Sequence, residues 1–346
     1  MNNNDSVRQQ GQQYFFRLPL AGRVVSLDLL RGFAIFCMTS FHQSGIIQPD
    51  GSWKLFAGFL GFISAPIFLA VSGMAVAFHE RSHHWPFKMM VHGGLIFALA
   101  YGSDVFVHRS FQVDWDIFQI IGACYAGLGL FDYLGYGWRK FLALAIVLLG
   151  LTLLPNIRPN HGVFPLWPFG LYFIGGYLLA ILGQSPWLWR WLIWGLAIAG
   201  LGYFMADFSW SLPPDRKQLA GFVFLFAMIY LLLITALETE RRNLLKTRGF
   251  TVLVRWGQYS LTLYFMQQFV TVTHLHLPLP LPPTLAWITQ TAVLLALLYA
   301  ATLLMKRYPF MDLGWLLRHA EQNVLKRTPV KSFLGPNGTE QFQTKF

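Results

Sequence analysis

The stretch Arg23-Val-Val-Ser-Leu-Asp28-Leu-Leu-Arg31-Gly-Phe-Ala-Ile-Phe-Cys37-Met-Thr-Ser-Phe-His42 decides the fold, because it is an apolar segment of membrane-spanning length that nevertheless carries Asp28, Arg31 and His42. On a helix, the spacing from Arg31 to His42 leaves them about 20° apart around the axis and roughly 16 Å apart along it. Asp28 lies within about 60° of Arg31, so the three share one face. That rise is about half the thickness of a hydrocarbon core. A charged side chain in mid-helix costs roughly 2.5–3.5 kcal/mol on insertion, so such residues usually face a bundle interior or a wet cavity and mark a functional path. The plainer alternative is a buried Asp28–Arg31 pair holding helices together, with His42 as a hydrogen-bonded core histidine.

Composition extends this reading to the whole chain. Of the 346 residues, 55% are hydrophobic and only 12% charged, against about 25% charged in a soluble domain. The apolar runs are around twenty residues long and do not alternate in ten-residue segments, which favours a helical bundle over an outer-membrane barrel. The fold class expected is all-α, a polytopic integral membrane bundle of about ten spans: about 25–46, 56–79, 89–107, 117–134, 141–156, 165–183, 190–206, 218–237, 252–273 and 284–305. The formal charge of +11 does not indicate nucleic acid, because the basic residues fall in alternate loops. Of the 26 Lys and Arg residues, twenty lie in the loops on the side of the N-terminus, five on the other side, and Arg31 lies within a span. By the positive-inside rule both termini are then cytoplasmic. Arg31 falls in the cytoplasmic half of its span and His42 near the outer surface.

Four parts follow: a polar cytoplasmic tail over 1–22 with no removable signal peptide, a transmembrane domain over 23–306, an interfacial C-terminal helix over 307–328 and a disordered tail over 329–346. Cys37 and Cys124 both lie within spans and suggest neither a disulfide framework nor a metal site.

The remaining polar residues group by side. The second span contains Pro66 among Gly61, Ser64, Ala65, Ser72 and Gly73, a kinked helix that lets a neighbour approach closely. Asp104, Asp114 and Asp116, with Gln119 just inside the fourth span, gather on the His42 side. There a carboxylate could orient the histidine or bind a polar acceptor, or serve only as a solvated loop charge. Arg241, Arg242, Lys246 and Arg248 form a cytoplasmic basic patch suited to anionic lipid or a phosphorylated ligand. In the ninth span Ser260, Tyr264, Gln267, Thr271 and His274 recur at spacings of three and four, a polar stripe that should face the bundle interior.

The first span, with Arg23-x-x-Ser-Leu-Asp-x-x-Arg-Gly and His42, resembles the opening signature of transmembrane acyltransferases, the acyltransferase-3 and heparan-α-glucosaminide N-acetyltransferase-like proteins. Ala65-Pro-Ile-Phe-Leu-Ala-Val-Ser-Gly73 is similar to the next motif of the heparan-type branch, and Trp256-Gly-Gln-Tyr-Ser-Leu-Thr-Leu-Tyr264 to a late-span motif of these families. The resemblance implies an integral-membrane acyltransferase that moves an acetyl or other acyl group from cytosolic acyl-CoA to a polar acceptor on the outer side. The acceptor class is a sugar hydroxyl or amine of a glycan. The family's catalytic histidine maps onto His42 and its first-helix arginine onto Arg31, and Arg241-Arg242 correspond to a paired arginine of some members. The Asp-Pro-Glu-Gly segment typical of the heparan enzymes is missing, which leaves glucosamine itself in question.

In this reading Arg31, Asp28, Arg241 and Arg242 serve acyl-CoA, His42 is base or acyl carrier, and Asp104, Asp116, Gln119, Tyr264 and Gln267 surround the acceptor or support the histidine. Acetyl-CoA is the donor substrate and no metal is expected. Membrane lipid is a further partner, nucleic acid is not, homodimer formation is left open, and the location is a cell's inner membrane if the source is bacterial. Two other classes fit the same residues: a secondary transporter or flippase using Asp28, Arg31 and His42 as a relay, and a catalytically silent assembly partner. No second copy of the Asp/Arg/His helix occurs in the other half, which weighs against a repeat-built transporter.

Overall fold

The computed structural model describes residues 24–78, 85–108, 116–134, 166–182, separate positions between 225 and 242, 244–272 and 280–327. Among these residues every regular element is a helix: α1 (Val25–Ile47), α2 (Gly51–Phe78), α3 (Trp85–His108), α4 (Ile117–Tyr133), α5 (Leu166–Leu182), α6 (Arg248–Gln258), α7 (Ser260–Val272), α8 (Pro283–Arg307) and α9 (Leu313–Arg327), with short 3₁₀ turns at Leu244–Lys246 and Pro309–Met311. Of these, α2 over Gly51–Ala77 and α8 are long and apolar enough to cross a membrane.

The opening stretch forms α1, and it is the hub: α2, α6, α7 and α8 all pack on it. Its first turn has no capping side chain of its own. The N–H groups of Val25 and Ser26 instead donate to the two carboxylate oxygens of Glu240, at 3.3 and 2.9 Å. An anion at a helix N-terminus satisfies orphan donors and opposes the positive end of the helix dipole. α1 closes on Gln48 in the left-handed region, φ 45°, and the chain turns at once into α2, which begins at Gly51 rather than near 56. Pro66 sits inside α2.

Helices α1 and α6 approach so closely that glycine is required. A Cβ on Gly32 would meet the backbone of Leu253, and one on Gly257 the backbone of Asp28, so α1 and α6 touch main chain to main chain. Such contacts are how helices associate in a medium that gives them no hydrophobic drive. They also run α1 and α6–α7 parallel: Gly32 lies against Leu253 and Gly257, and Thr39 further along bonds Gln267. α8 runs the opposite way, with Thr284 bonding Asp50 beyond the end of α1 and Tyr299 bonding Arg255 on α6.

Two expectations change. The ninth span, expected as one helix over 252–273, is two, α6 and α7, interrupted at Tyr259 (φ −108°, ψ 20°) where Gly257 is pressed against α1. The expected interfacial helix over 307–328 is a 3₁₀ turn followed by α9 from Leu313. There Asp312 caps the helix, its carboxylate accepting from the N–H groups of Gly314 and Trp315. The spans expected at 141–156 and 190–206, the 1–22 and 329–346 tails, and His274 lie outside the described residues.

Candidate active site

At the start of α1, Asp28 is 3% exposed and accepts from the Arg31 guanidinium at 3.3 Å. The pairing one turn apart is the one the sequence suggested. Desolvating this carboxylate is costly unless it is paired, and Arg31, still 22% exposed, meets that cost while keeping most of its five N–H donors for another anion. Glu240, which sequence reasoning missed, brings the segment preceding α6 against the same end of α1. Arg242, two residues on, is exposed, while Arg241 lies outside the described residues. Ser26, two residues before Asp28, and Trp256, next to Gly257, each hold a buried polar atom without a partner among the described residues.

Three turns further along α1 is His42. Its ring has Phe41 beside it and two polar neighbours, both at Nδ1 and both from α7: the Gln267 amide nitrogen at 2.9 Å and Thr271 Oγ1 at 3.4 Å. Gln267 is fully buried and is held from the other side by Thr39 Oγ1, 2.7 Å from its amide oxygen. Thr271 donates its single proton to the Gln267 carbonyl at 3.0 Å. The polar stripe of the ninth span therefore faces inward and meets His42, as its spacing predicts.

One turn earlier on α7, the buried Tyr264 hydroxyl donates to Asp116 and accepts from Gln268 at 2.8 Å. Asp116 is at the same time the N-cap of α4. Its Oδ1 accepts from the Ile117 N–H at 2.6 Å, and Gln119 reaches back to the Asp116 N–H at 3.2 Å, a complete capping box. Asp116 and Gln119 thus hold the end of α4 against α7, and Asp116 points inward rather than into solvent. The Asp104 side chain lies outside the described residues.

The fold brings together His42, Gln267, Tyr264, Asp116 and Gln119 around one stretch of α7. Asp28 and Arg31 stay at the other end of α1, whose first turn Glu240 caps. Besides Glu240, sequence reasoning missed Thr39 and Gln268; each is a polar residue on an apolar helix, a signal present but weaker than a charge.

The model of the family described as heparan-alpha-glucosaminide N-acetyltransferase, catalytic, matches residues 23–233, more than half of the chain. A search among curated proteins finds no match. The matched stretch holds α1 to α5, with His42, Asp28, Arg31 and Asp116, and ends before α6 and α7, so Tyr264, Gln267 and Thr271 are assigned by geometry alone. By this match the chain belongs to the family of heparan-alpha-glucosaminide N-acetyltransferase catalytic domains, membrane-embedded acetyltransferases.

Proposed function

We propose that the chain transfers an acetyl group from cytosolic acetyl-CoA, across the membrane domain, to a hydroxyl or amine of a glycan on the outer side, with His42 as the base. The observation that carries the reading is the placement of two polar stations on one helix. Asp28 and Arg31 sit at one end of α1, and His42, held from α7, sits at the other. A phosphate-rich donor with a long arm needs cations where it enters and a base where its thioester arrives. Arg31, Arg242 and Arg241 supply the first, and polar atoms of Ser26 and Trp256 that lack a partner among the described residues lie in the same region.

At the far station His42 takes the proton from the acceptor O–H or N–H as that oxygen or nitrogen attacks the thioester carbonyl. The tetrahedral intermediate collapses by breaking the C–S bond, and the imidazolium returns the proton to the departing CoA thiolate. The acceptor leaves as an ester or amide and CoA as a free thiol. Asp116, Tyr264 and Gln119 shape the wall of this station, and Asp104 belongs to the same outer side.

The topology that goes with this is ten spans with both termini cytoplasmic, within the inner membrane if the source is bacterial. The parallel course of α1 and α6–α7, and the reversed course of α8, are what odd and even spans of that arrangement require. The test is purified protein in nanodiscs with labelled acetyl-CoA and glucosamine and N-acetylglucosamine as probe acceptors, wild type beside His42→Ala. Loss of a general base removes about 10²–10⁴ in rate, and equal transfer by both proteins would sink the assignment.

A further inference from the structure

A histidine can take a proton, or an acyl group, at Nε2 only if its own proton sits on Nδ1. The side chains around His42 decide where that proton is. Drawn with Thr39 donating to the Gln267 amide oxygen, the amide NH₂ faces Nδ1, which would place the ring proton on Nε2 and close that atom to chemistry. Thr271 sits at odds with this sense. With its one proton on the nearer Gln267 main-chain carbonyl, 3.0 Å away against 3.4 Å to Nδ1, Thr271 Oγ1 meets Nδ1 as an acceptor, and an acceptor there calls for an N–H facing it.

Turning the Gln267 amide by 180° about its last bond keeps every heavy atom in place and resolves the conflict, since the two ends of an amide are told apart by their hydrogen bonds. Oε1 then accepts from Nδ1–H, with Thr271 as a second, longer acceptor. The amide NH₂ then donates to Thr39 Oγ1, 2.7 Å away. The ring's recorded polar partners all lie on the Nδ1 side, which leaves Nε2 without a competitor among the described residues.

Resting on the acyltransferase reading above, we infer that Gln267 is a positioning residue that holds His42 in the Nδ1–H tautomer and so presents the Nε2 lone pair to the acceptor. Thr39 and Thr271 orient the amide. Among the described residues no charged side chain bonds the ring; an acid is tied to this part of α7 by Tyr264, which donates to Asp116. Gln267 lies beyond the stretch matched by the family model, so only the geometry points to it.

Two variants separate this from a merely structural role. A glutamate at 267 can accept from Nδ1–H and from the Thr39 hydroxyl but cannot donate, whereas leucine can do neither. The readouts are ¹⁵N chemical shifts of histidine-labelled protein in nanodiscs above the histidine titration range, with His42→Gln assigning the signal, and the pH profile of acetyl-CoA turnover with glucosamine as probe.

The expected wild-type signal is a protonated Nδ1 and a bare Nε2. Gln267→Leu loses that preference and lowers kcat about 10- to 100-fold, the usual effect of removing a partner that orients a histidine, with KM for acetyl-CoA unchanged. Gln267→Glu keeps the tautomer and the turnover, and its acid limb moves to higher pH because the carboxylate stabilises the imidazolium. A wild-type ring protonated on Nε2, or a folded Gln267→Glu as inactive as Gln267→Leu, overturns the inference. If Gln267→Leu does not fold, the wild-type tautomer and the Gln267→Glu profile still decide it. Should the tautomer be as stated while wild type and His42→Ala transfer acetyl equally, the tautomer assignment stands and the acyltransferase reading falls.

Discussion

Asp116 carries two interactions on one oxygen, and substitution can separate them. Its Oδ1 accepts from the Ile117 N–H, which caps α4, and from the Tyr264 hydroxyl, which ties α4 to α7. Asparagine caps nearly as well as aspartate and keeps an acceptor oxygen. Asp116→Asn should therefore fold with a loss of less than about 1 kcal/mol, the difference between a charged and a neutral acceptor. Asp116→Ala loses the cap, worth about 1 kcal/mol, and the helix–helix hydrogen bond, worth about 1 kcal/mol inside a membrane bundle. Tyr264→Phe removes only the second and leaves the Gln268 amide without its acceptor. Thermal unfolding in detergent across the cycle Asp116→Ala, Tyr264→Phe and both together should give a coupling of about 1 kcal/mol. Additive losses would mean that the Asp116–Tyr264 bond contributes nothing to holding α4 against α7.

At the scale of elements, α9 is fastened to the bundle by two carboxylates, neither of which stood out in the sequence. Asp312 accepts from Thr262 on α7 at 2.8 Å, and Glu321, 4% exposed, meets His92 at 2.8 Å and Lys88 at 3.7 Å on α3. Burial alone would raise the Glu321 carboxyl, but His92 and Lys88 outweigh it and hold the carboxyl below its ordinary value. A depressed acid stabilises the docked state at pH values above its unfolded pKa, about 4.3, and that contribution is lost as pH falls through the lower, folded value. A spin label at exposed Leu316 on α9 should thus be immobile at neutral pH and gain mobility only under acid conditions below about pH 4. Glu321→Gln should loosen α9 at neutral pH and flatten that dependence. A wild-type label whose mobility is the same at pH 7 and pH 3 would show that Glu321 does not hold the helix. Glu321 and Asp312 read as ordinary surface acids on an amphipathic helix because periodicity shows which face is polar, but not that a basic residue on α3 waits under it. Glu240, which caps α1 from 214 residues away, escaped for the same reason.

Across the whole molecule, what could be read from sequence was every group whose cost in a membrane is high within its own helix. Asp28 and Arg31 had to pair, His42 had to be held, and the stripe through Tyr264, Gln267 and Thr271 had to face inward; each does. The partners were not legible, because a pairing such as Asp116 with Tyr264 joins residues 148 positions apart and depends on which helices are neighbours. The break at Tyr259 was hidden as well, since no proline stands there and the neighbouring Gly257 meets the backbone of α1, a contact between helices that the local sequence does not show. Orientation belongs to this scale, and the relay depends on it. Asp50 and Leu281 are exposed at one end of the bundle, where Asp50 bonds Thr284, while Arg242 and Phe310 are exposed residues of the segments read as cytoplasmic. In a background with Cys37 and Cys124 replaced by serine, Asp50→Cys and Leu281→Cys should react with a membrane-impermeant maleimide in intact cells. Arg242→Cys and Phe310→Cys should react only after permeabilisation. Loop charge predicts this pattern, twenty basic residues against five, and the parallel course of α1 and α7 makes the four positions interdependent. The reverse pattern would put the His42 end of α1 in the cytosol beside the acetyl-CoA pool. Arg31 would then lie on the wrong side to receive the donor, and a transfer confined to the cytosolic face would replace the transmembrane relay.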